Sequence, residues 1–137
     1  MPVPTTDFIA GMRRLAGGVT IVTARLDDVR AGLTATSVCS LTAEPPRLLA
    51  CVHRDADAHA LIIASGYFAL NVLAQSQQDL ADHFGGRDTS RGPSRFAQGH
   101  WVTGRTGVPL LVGAAATFEC RLSETLAAVA HRVAEFP

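Results

Sequence analysis

The chain has 137 residues, 47% hydrophobic and 18% charged. That is enough for one domain with its own core, needing no disulfide or structural metal, and it excludes a disordered tail. Twelve basic and twelve acidic residues cancel, so no long-range field draws the chain to nucleic acid or to an anionic membrane. All twelve basic residues are arginine, which excludes Schiff-base chemistry, a P-loop lysine and an amine base.

Met1 to Asp7 has neither a basic nor an apolar segment of the signal-peptide kind. The most apolar stretch, Leu61 to Ala74, is too short and too mixed to span a bilayer, so a cytoplasmic protein is expected. Apolar residues at Phe8, Ile9, Met12 and Leu15 predict a helix over Asp7 to Leu15, capped by Thr6 or Asp7 and ended by Gly17-Gly18. The β-branched run Val19 to Ala24 predicts a strand. Asp27-Asp28 predicts a hairpin turn into Val29 to Thr36. Glu44-Pro45-Pro46 reads as a loop. A buried strand follows over Arg47 to His53, then a helix over Ala58 to Ala64 with Asp55 and Asp57 as N-cap residues. Tyr67 to Leu73 reads as a strand and Ser76 to Phe84 as a short amphipathic helix. Gly85 to Gly99, rich in Gly, Arg and Ser, reads as a long loop. Strands are expected at Trp101-Val102 and within Leu110 to Leu122, where Phe118, Cys120 and Leu122 alternate. Leu126, Val129, Ala130 and Val133 have helical spacing as much as strand alternation. The pattern has five or six short strands, peripheral helices and no glycine fingerprint. It predicts a mainly β fold, a small β-barrel, in a single domain over 1–137.

Three segments carry residue types suited to chemistry. Gly32 to Leu41 is dense in small hydroxyl side chains, which let a ligand approach the backbone and offer donors and acceptors to a planar polar ring. A Thr-rich edge strand explains the same composition, and on composition alone it is the stronger reading. Arg54 before a helix N-terminus suits an anion, while Asp55 and Asp57 beside it fit plain helix capping. Arg87, Arg91 and Arg95 suit a phosphate clamp or a solvated loop. Cys39, Cys51 and Cys120 are an odd count without CxxC and read as buried small hydrophobes. The five histidines lack metal spacing, so no metal site is expected. No nucleophile, base and orienter can be assembled, so a bound cofactor is expected to carry any chemistry.

Taken in order, several of these segments resemble the flavin reductase-like family with the FMN-binding split barrel, the small reductase partners of two-component flavin monooxygenases. The resemblance rests on Met12-Arg13-Arg14-Leu15-Ala16-Gly17-Gly18-Val19-Thr20-Ile21-Val22-Thr23 and on Gly32-Leu33-Thr34-Ala35-Thr36-Ser37-Val38-Cys39-Ser40-Leu41. It continues through Pro45-Pro46, Cys51-Val52, His59, Asn71-Val72-Leu73, Arg95-Phe96 and Gly107-Val108-Pro109-Leu110-Leu111 to Glu119-Cys120. It implies a split β-barrel, a homodimer with flavin near the subunit interface, and a cytoplasmic NAD(P)H:flavin oxidoreductase serving a monooxygenase partner. FMN or FAD is the implied cofactor, with NADH or NADPH as co-substrate. Thr34, Ala35, Thr36 and Ser37 would line the ring, and Ser40 would lie near the ribityl chain or the phosphate. Val52, His53 and Arg54, with the helix that carries His59, would hold the phosphate side, and Arg95 and Phe96 would close over the cofactor.

The chain departs from the family at two places. Asp55 and Asp57 stand where Ser or Thr is usual. The stretch Leu122 to Pro137 is shorter than the family's final strands, so a C-terminally shortened barrel is expected. His131 is the candidate for the nicotinamide-side histidine. The alternative reading is a shortened flavin-binding or inactive split-barrel protein without nicotinamide-dependent activity.

Overall fold

The computed structural model of the chain describes residues 3–15, 17–86 and 92–126. Arg87, Arg91, His131 and the helical spacing beyond Leu126 lie outside the described residues. Residues 18–122 form one compact unit, and the residues up to Gly17 and from Ser123 onward fall in another. In the latter the described element is helix α1, Thr5–Met12. It begins earlier than Asp7 because the Pro4 carbonyl already accepts the Asp7 and Phe8 N–H groups, at 3.0 and 3.1 Å.

The larger unit is mainly β. Strands β1 (Thr20–Leu26) and β2 (Val29–Ala35) form the expected hairpin, with Asp27 at φ 52° in its turn, a conformation that Asp tolerates through its short polar side chain. A second hairpin joins β3 (Val38–Ala43) to β4 (Pro46–Ala50). Its turn is the segment read above as a loop, and Pro46 opens β4, a position where the missing N–H costs no ladder bond. Helix α2 (Asp57–Ser65) follows. Its N-cap is Ala56 and no side chain caps it, so Asp55 and Asp57 are not the caps the sequence suggested. Gly66, at φ 80° in the left-handed region, ends it by donating its N–H to the Ile62 carbonyl. Strand β5 (Tyr67–Val72), a 3-10 turn (Gln75–Gln77) and helix α3 (Gln78–Phe84) come next. Part of the expected long loop is a further 3-10 segment, Gly92–Ala97. Short strands β6 (Trp101–Thr103) and β7 (Pro109–Leu111) pair, and β8 (Ala116–Arg121) is separate from β7. The single strand expected within Leu110 to Leu122 is thus two.

The ladders make one antiparallel four-stranded sheet in the order β2-β1-β5-β8, and two ribbons, β3-β4 and β6-β7. No ladder joins the β6-β7 ribbon to the sheet. Side chains do so instead. Asn71 is fully buried on β5. Its amide nitrogen donates to the Ile21 carbonyl at 2.9 Å and to Thr23 Oγ1 at 3.2 Å, and its Oδ1 accepts the Leu111 N–H at 2.9 Å. Thr23, also fully buried, donates through Oγ1 to the Pro109 carbonyl at 2.6 Å. Burying an amide and a hydroxyl is unfavourable unless each finds partners, and here each does.

Two apolar clusters flank the sheet. One gathers Val22, Ala31, Ala35, Ala58, Ile62 and Leu70 beneath α2; the other gathers Ile21, Leu80, Phe84, Phe96 and Leu111. Phe84 meets Phe96 edge-on with centroids 5.2 Å apart, and Phe96 meets Trp101 at 4.9 Å. Phe84 also explains Gly32 on β2, since a Cβ there would lie 2.8 Å from the ring. On β8, Glu119 accepts the backbone N–H and the hydroxyl of Thr106, at 2.9 and 2.8 Å. These bonds hold its carboxyl below the ordinary carboxylate range.

Asn71→Ala strands the Leu111 N–H in the core and unties β7. It is expected to lower unfolding stability by about 2–4 kcal/mol, read as a shift of the urea midpoint at unchanged slope.

Candidate functional site

Strand β2 leaves the β1 ladder after the pair Thr20↔Ala35. β3 begins at Val38, so Thr36 and Ser37 form a short coil between two strands. The end of β4 closes against that coil, the Cys51 N–H donating to the Ser37 carbonyl at 2.9 Å. The chain then runs on through Val52, His53 and Arg54 to α2. The coil at Thr36-Ser37 and the segment that starts at Cys51 are therefore adjacent, while Cys39 and Ser40 pair with Leu49 and Leu48 further along the ribbon.

Alternation on the β3-β4 ribbon decides which side chains are available. Val38, Leu48 and Val52 pack on the cluster under α2. Ser37, Cys39, Leu49 and Cys51 are exposed. Leu48 to Val52 is thus half-covered rather than a buried strand, and Cys39 and Cys51 are exposed rather than core residues, with Cys120 partly exposed. The ribbon lies outside the main sheet, and among the described residues nothing covers its outer face. Partial burial raises the Cys120 thiol above its ordinary range.

The candidate residues divide into two groups. Thr36, Ser37 and Ser40 are exposed, and among the described residues their hydroxyls make no hydrogen bond. His53 and Arg54, on the segment that follows Cys51, are exposed as well. The His53 Nδ1 accepts the Asp55 N–H at 3.1 Å and lies 3.9 Å from the Asp55 carboxylate, which in the neutral ring leaves the proton on Nε2. His59 is half-buried in the first turns of α2.

The other group is engaged within the fold. The Thr34 hydroxyl donates to the Ala81 carbonyl at 2.6 Å, tying β2 to α3. The Ala35 side chain is buried, and its carbonyl accepts from Thr20 Oγ1 at 2.8 Å. Arg95 donates to the Gly32 carbonyl at 2.8 Å. Phe96 is buried against Phe84 and Trp101, with the Arg30 guanidinium 4.6 Å from its ring centroid. The described geometry makes Phe96 a core residue, where the resemblance expected a cover. The composition of its loop gave no hint of this, because its ring partners lie just outside the loop, on the end of α3 and the start of β6. Sequence reading also missed Val29 to Ala31, which share a groove with Arg54. Among the described residues no group of three or more His, Cys, Asp or Glu side chains is arranged to hold a metal.

The comparisons with known proteins agree with this architecture. Residues 12–135 match the family described as flavin reductase like domain. The FMN reductase (NADH) RutF of Stutzerimonas stutzeri (strain A1501) is 45% identical over 132 residues, covering 96% of this chain and 75% of that protein. The protein of the same name from Variovorax paradoxus (strain S110) is 41% identical over 131 residues, covering 96% and 72%. Among solved structures, BorF, the flavin reductase component of a bacterial two-component tryptophan halogenase, superposes with a TM-score of 0.81 at 36% identity, covering 91% of this chain and 78% of BorF. The NADH:FAD oxidoreductase SgcE6 of Streptomyces globisporus gives 0.82 at 32% identity, covering 93% and 77%. The chain belongs to the flavin reductase-like family, has its split-barrel fold, and is an enzyme of that class. It spans about three quarters of the length of the RutF relatives named here.

Thr34→Val removes the tie to α3 and nothing exposed. It is expected to cost about 1 kcal/mol of stability in urea unfolding and to leave the coil at Thr36-Ser37 unchanged in backbone NMR shifts.

Proposed function

We propose that the chain is a cytoplasmic NADH-dependent flavin reductase that delivers reduced FMN or FAD to a partner monooxygenase. The observation that carries this reading is the coil at Thr36-Ser37. It is exposed, lies between two strands and presents hydroxyls that the fold does not use, in a chain whose family is that of flavin reductases. Such a surface suits a planar ring edged with donors and acceptors. In this reading Thr36, Ser37 and Ser40 face the ring and its ribityl chain, Ala35 contributes backbone, and Val52, His53 and Arg54 follow the chain toward the phosphate. Thr34, Arg95 and Phe96 act behind this surface by fixing β2. When bound, the flavin would supply a hydride acceptor at N5. The protein's part is to hold the two rings in register and to place donors where charge develops.

A homodimer belongs to the same reading. Leu41 and Leu49 are 56% and 48% exposed on the β3-β4 ribbon, next to the coil, and a second copy would cover them. The names of the relatives support NADH as the reductant, with FMN named for RutF and FAD for SgcE6. For localisation, no helix among the described residues is long and apolar enough to cross a membrane.

The purified chain mixed with NADH and excess FMN or FAD is expected to consume the nicotinamide absorbance catalytically. Ser37→Ala is expected to raise the flavin KM about fivefold with little change in the KM for NADH. No oxidation of NADH or NADPH with either flavin would contradict the reductase reading and favour a flavin-binding or inactive split-barrel protein.

A further inference from the structure

The β3-β4 ribbon carries two cysteines that the flavin reading leaves unused. Cys39 lies on β3, opposite Leu49. Cys51 follows the last residue of β4, and its N–H donates to the Ser37 carbonyl at 2.9 Å. The antiparallel register therefore continues one step beyond β4, with Cys51 opposite Ser37. Alternation turns Val38 and Val52 toward the cluster under α2 and leaves Cys39, Leu49 and Cys51 exposed on the other face. Both thiols are free. The two cysteines are thus diagonal neighbours on one exposed face, beside the coil at Thr36-Ser37.

Diagonal neighbours of this kind have Cα atoms about 7–8 Å apart. A disulfide spans up to about 6.8 Å, so joining the two sulfurs asks the ribbon to close by about 1 Å. Twisting can supply that distance. No ladder fastens the ribbon to the four-stranded sheet, and two-stranded ribbons twist more than strands inside a sheet. A register shift between Ser40 and Thr42 already interrupts its ladder. Cys120 differs on each count. It lies on β8 within the main sheet, opposite Phe68, and partial burial raises its thiol above the ordinary range, which lowers its share of reactive thiolate.

We propose that Cys39 and Cys51 are a thiol pair that hydrogen peroxide oxidises to an intrachain disulfide, and that this bond displaces Ser37 and weakens flavin binding. The second half rests on the flavin reading given above. One thiolate attacks a peroxide oxygen: the S–O bond forms, the O–O bond breaks, and the departing hydroxide takes up the proton that the thiol had shed. The other thiol attacks the sulfenic sulfur: the S–S bond forms, the S–O bond breaks, and the hydroxyl leaves with the thiol proton as a second water. Two electrons pass from the sulfurs to the peroxide. Reduced flavin free in aerated solution gives two electrons to dioxygen and yields hydrogen peroxide, so a reductase running without a partner makes the oxidant at this surface. Because Cys51 is bonded to Ser37, twisting the ribbon moves the coil. A disulfide closed under strain is readily reduced, so a thiol reverses the change.

The test uses the full chain, reduced and then treated with excess hydrogen peroxide. Trypsin cuts after Arg30, Arg47 and Arg54, so the two cysteines fall in separate peptides, 31–47 and 48–54. Mass spectrometry without reductant is expected to find these two peptides linked, two hydrogens lighter than their sum. FMN affinity, read by fluorescence quenching, is expected to fall about tenfold on oxidation and to return with dithiothreitol. Cys39→Ser and Cys51→Ser each form no linked peptide and keep their FMN affinity through the same treatment, whereas Cys120→Ser behaves as the unaltered chain. The linked peptide and the recovery with dithiothreitol decide on the unaltered chain even where a variant does not fold. Thiols that gain only oxygen atoms, a bond between two copies of the chain, or unchanged FMN affinity in the linked chain overturns the proposal. A linked peptide in a chain that never binds FMN retains the thiol pair and rejects the flavin surface; FMN binding with no linked peptide rejects the pair and retains that surface.

Discussion

The Asn71 side chain is the constraint on which the rest of the unit depends. The four-stranded sheet and the β6-β7 ribbon share no ladder, so the barrel cannot be held by backbone pairing alone. Asn71 and Thr23 replace the missing ladder with bonds to Ile21, Leu111 and Pro109. Both side chains are fully buried, where water cannot substitute for a lost partner. With Leu111 fixed, the aromatic cluster of Phe84, Phe96 and Trp101 closes on the same side of the sheet, and Arg95 and Thr34 fasten helix and loop to β2. The coil at Thr36-Ser37 leaves a strand held from several sides, so a surface coil acquires a defined geometry.

That arrangement separates support from contact. The motif Thr34-Ala35-Thr36-Ser37 looks uniform in sequence, yet its first two residues face inward bonds and its last two face solvent. The same holds for Arg95 and Phe96, which serve β2 from behind. A reductase that releases its product gains from this division. On the proposed reading, firm hydrogen bonds would keep the platform in shape while few side chains grip the ligand.

Much of the fold was legible wherever local chemistry decides. Asp27-Asp28 announced a hairpin because Asp tolerates the left-handed turn, and Gly66 announced the end of α2 for the same conformational reason. The β3-β4 hairpin was not legible, because two prolines look like a break until one of them is seen opening an edge strand. Burial of Cys39 and Cys51 was misjudged, since a small apolar residue on an alternating strand faces either side, and only the register with Val38 and Val52 decides. In the site, residue types pointed to the coil and to Arg54. Which hydroxyls were free depended on Ala81, whose carbonyl takes the Thr34 hydroxyl, and the groove depended on β2 folding back beside α2. These are long-range pairings that no local pattern carries.

The central claim is that the exposed coil and the segment leaving β4 form one flavin-binding surface supported from within. Titrating the isotope-labelled chain with FMN and following backbone amide shifts tests this most directly. The account predicts saturable shifts concentrated at Thr36, Ser37, Ser40 and Val52 to Arg54, with Asn71 and Leu111 nearly still. Shifts confined elsewhere, or none at saturating FMN, would contradict it.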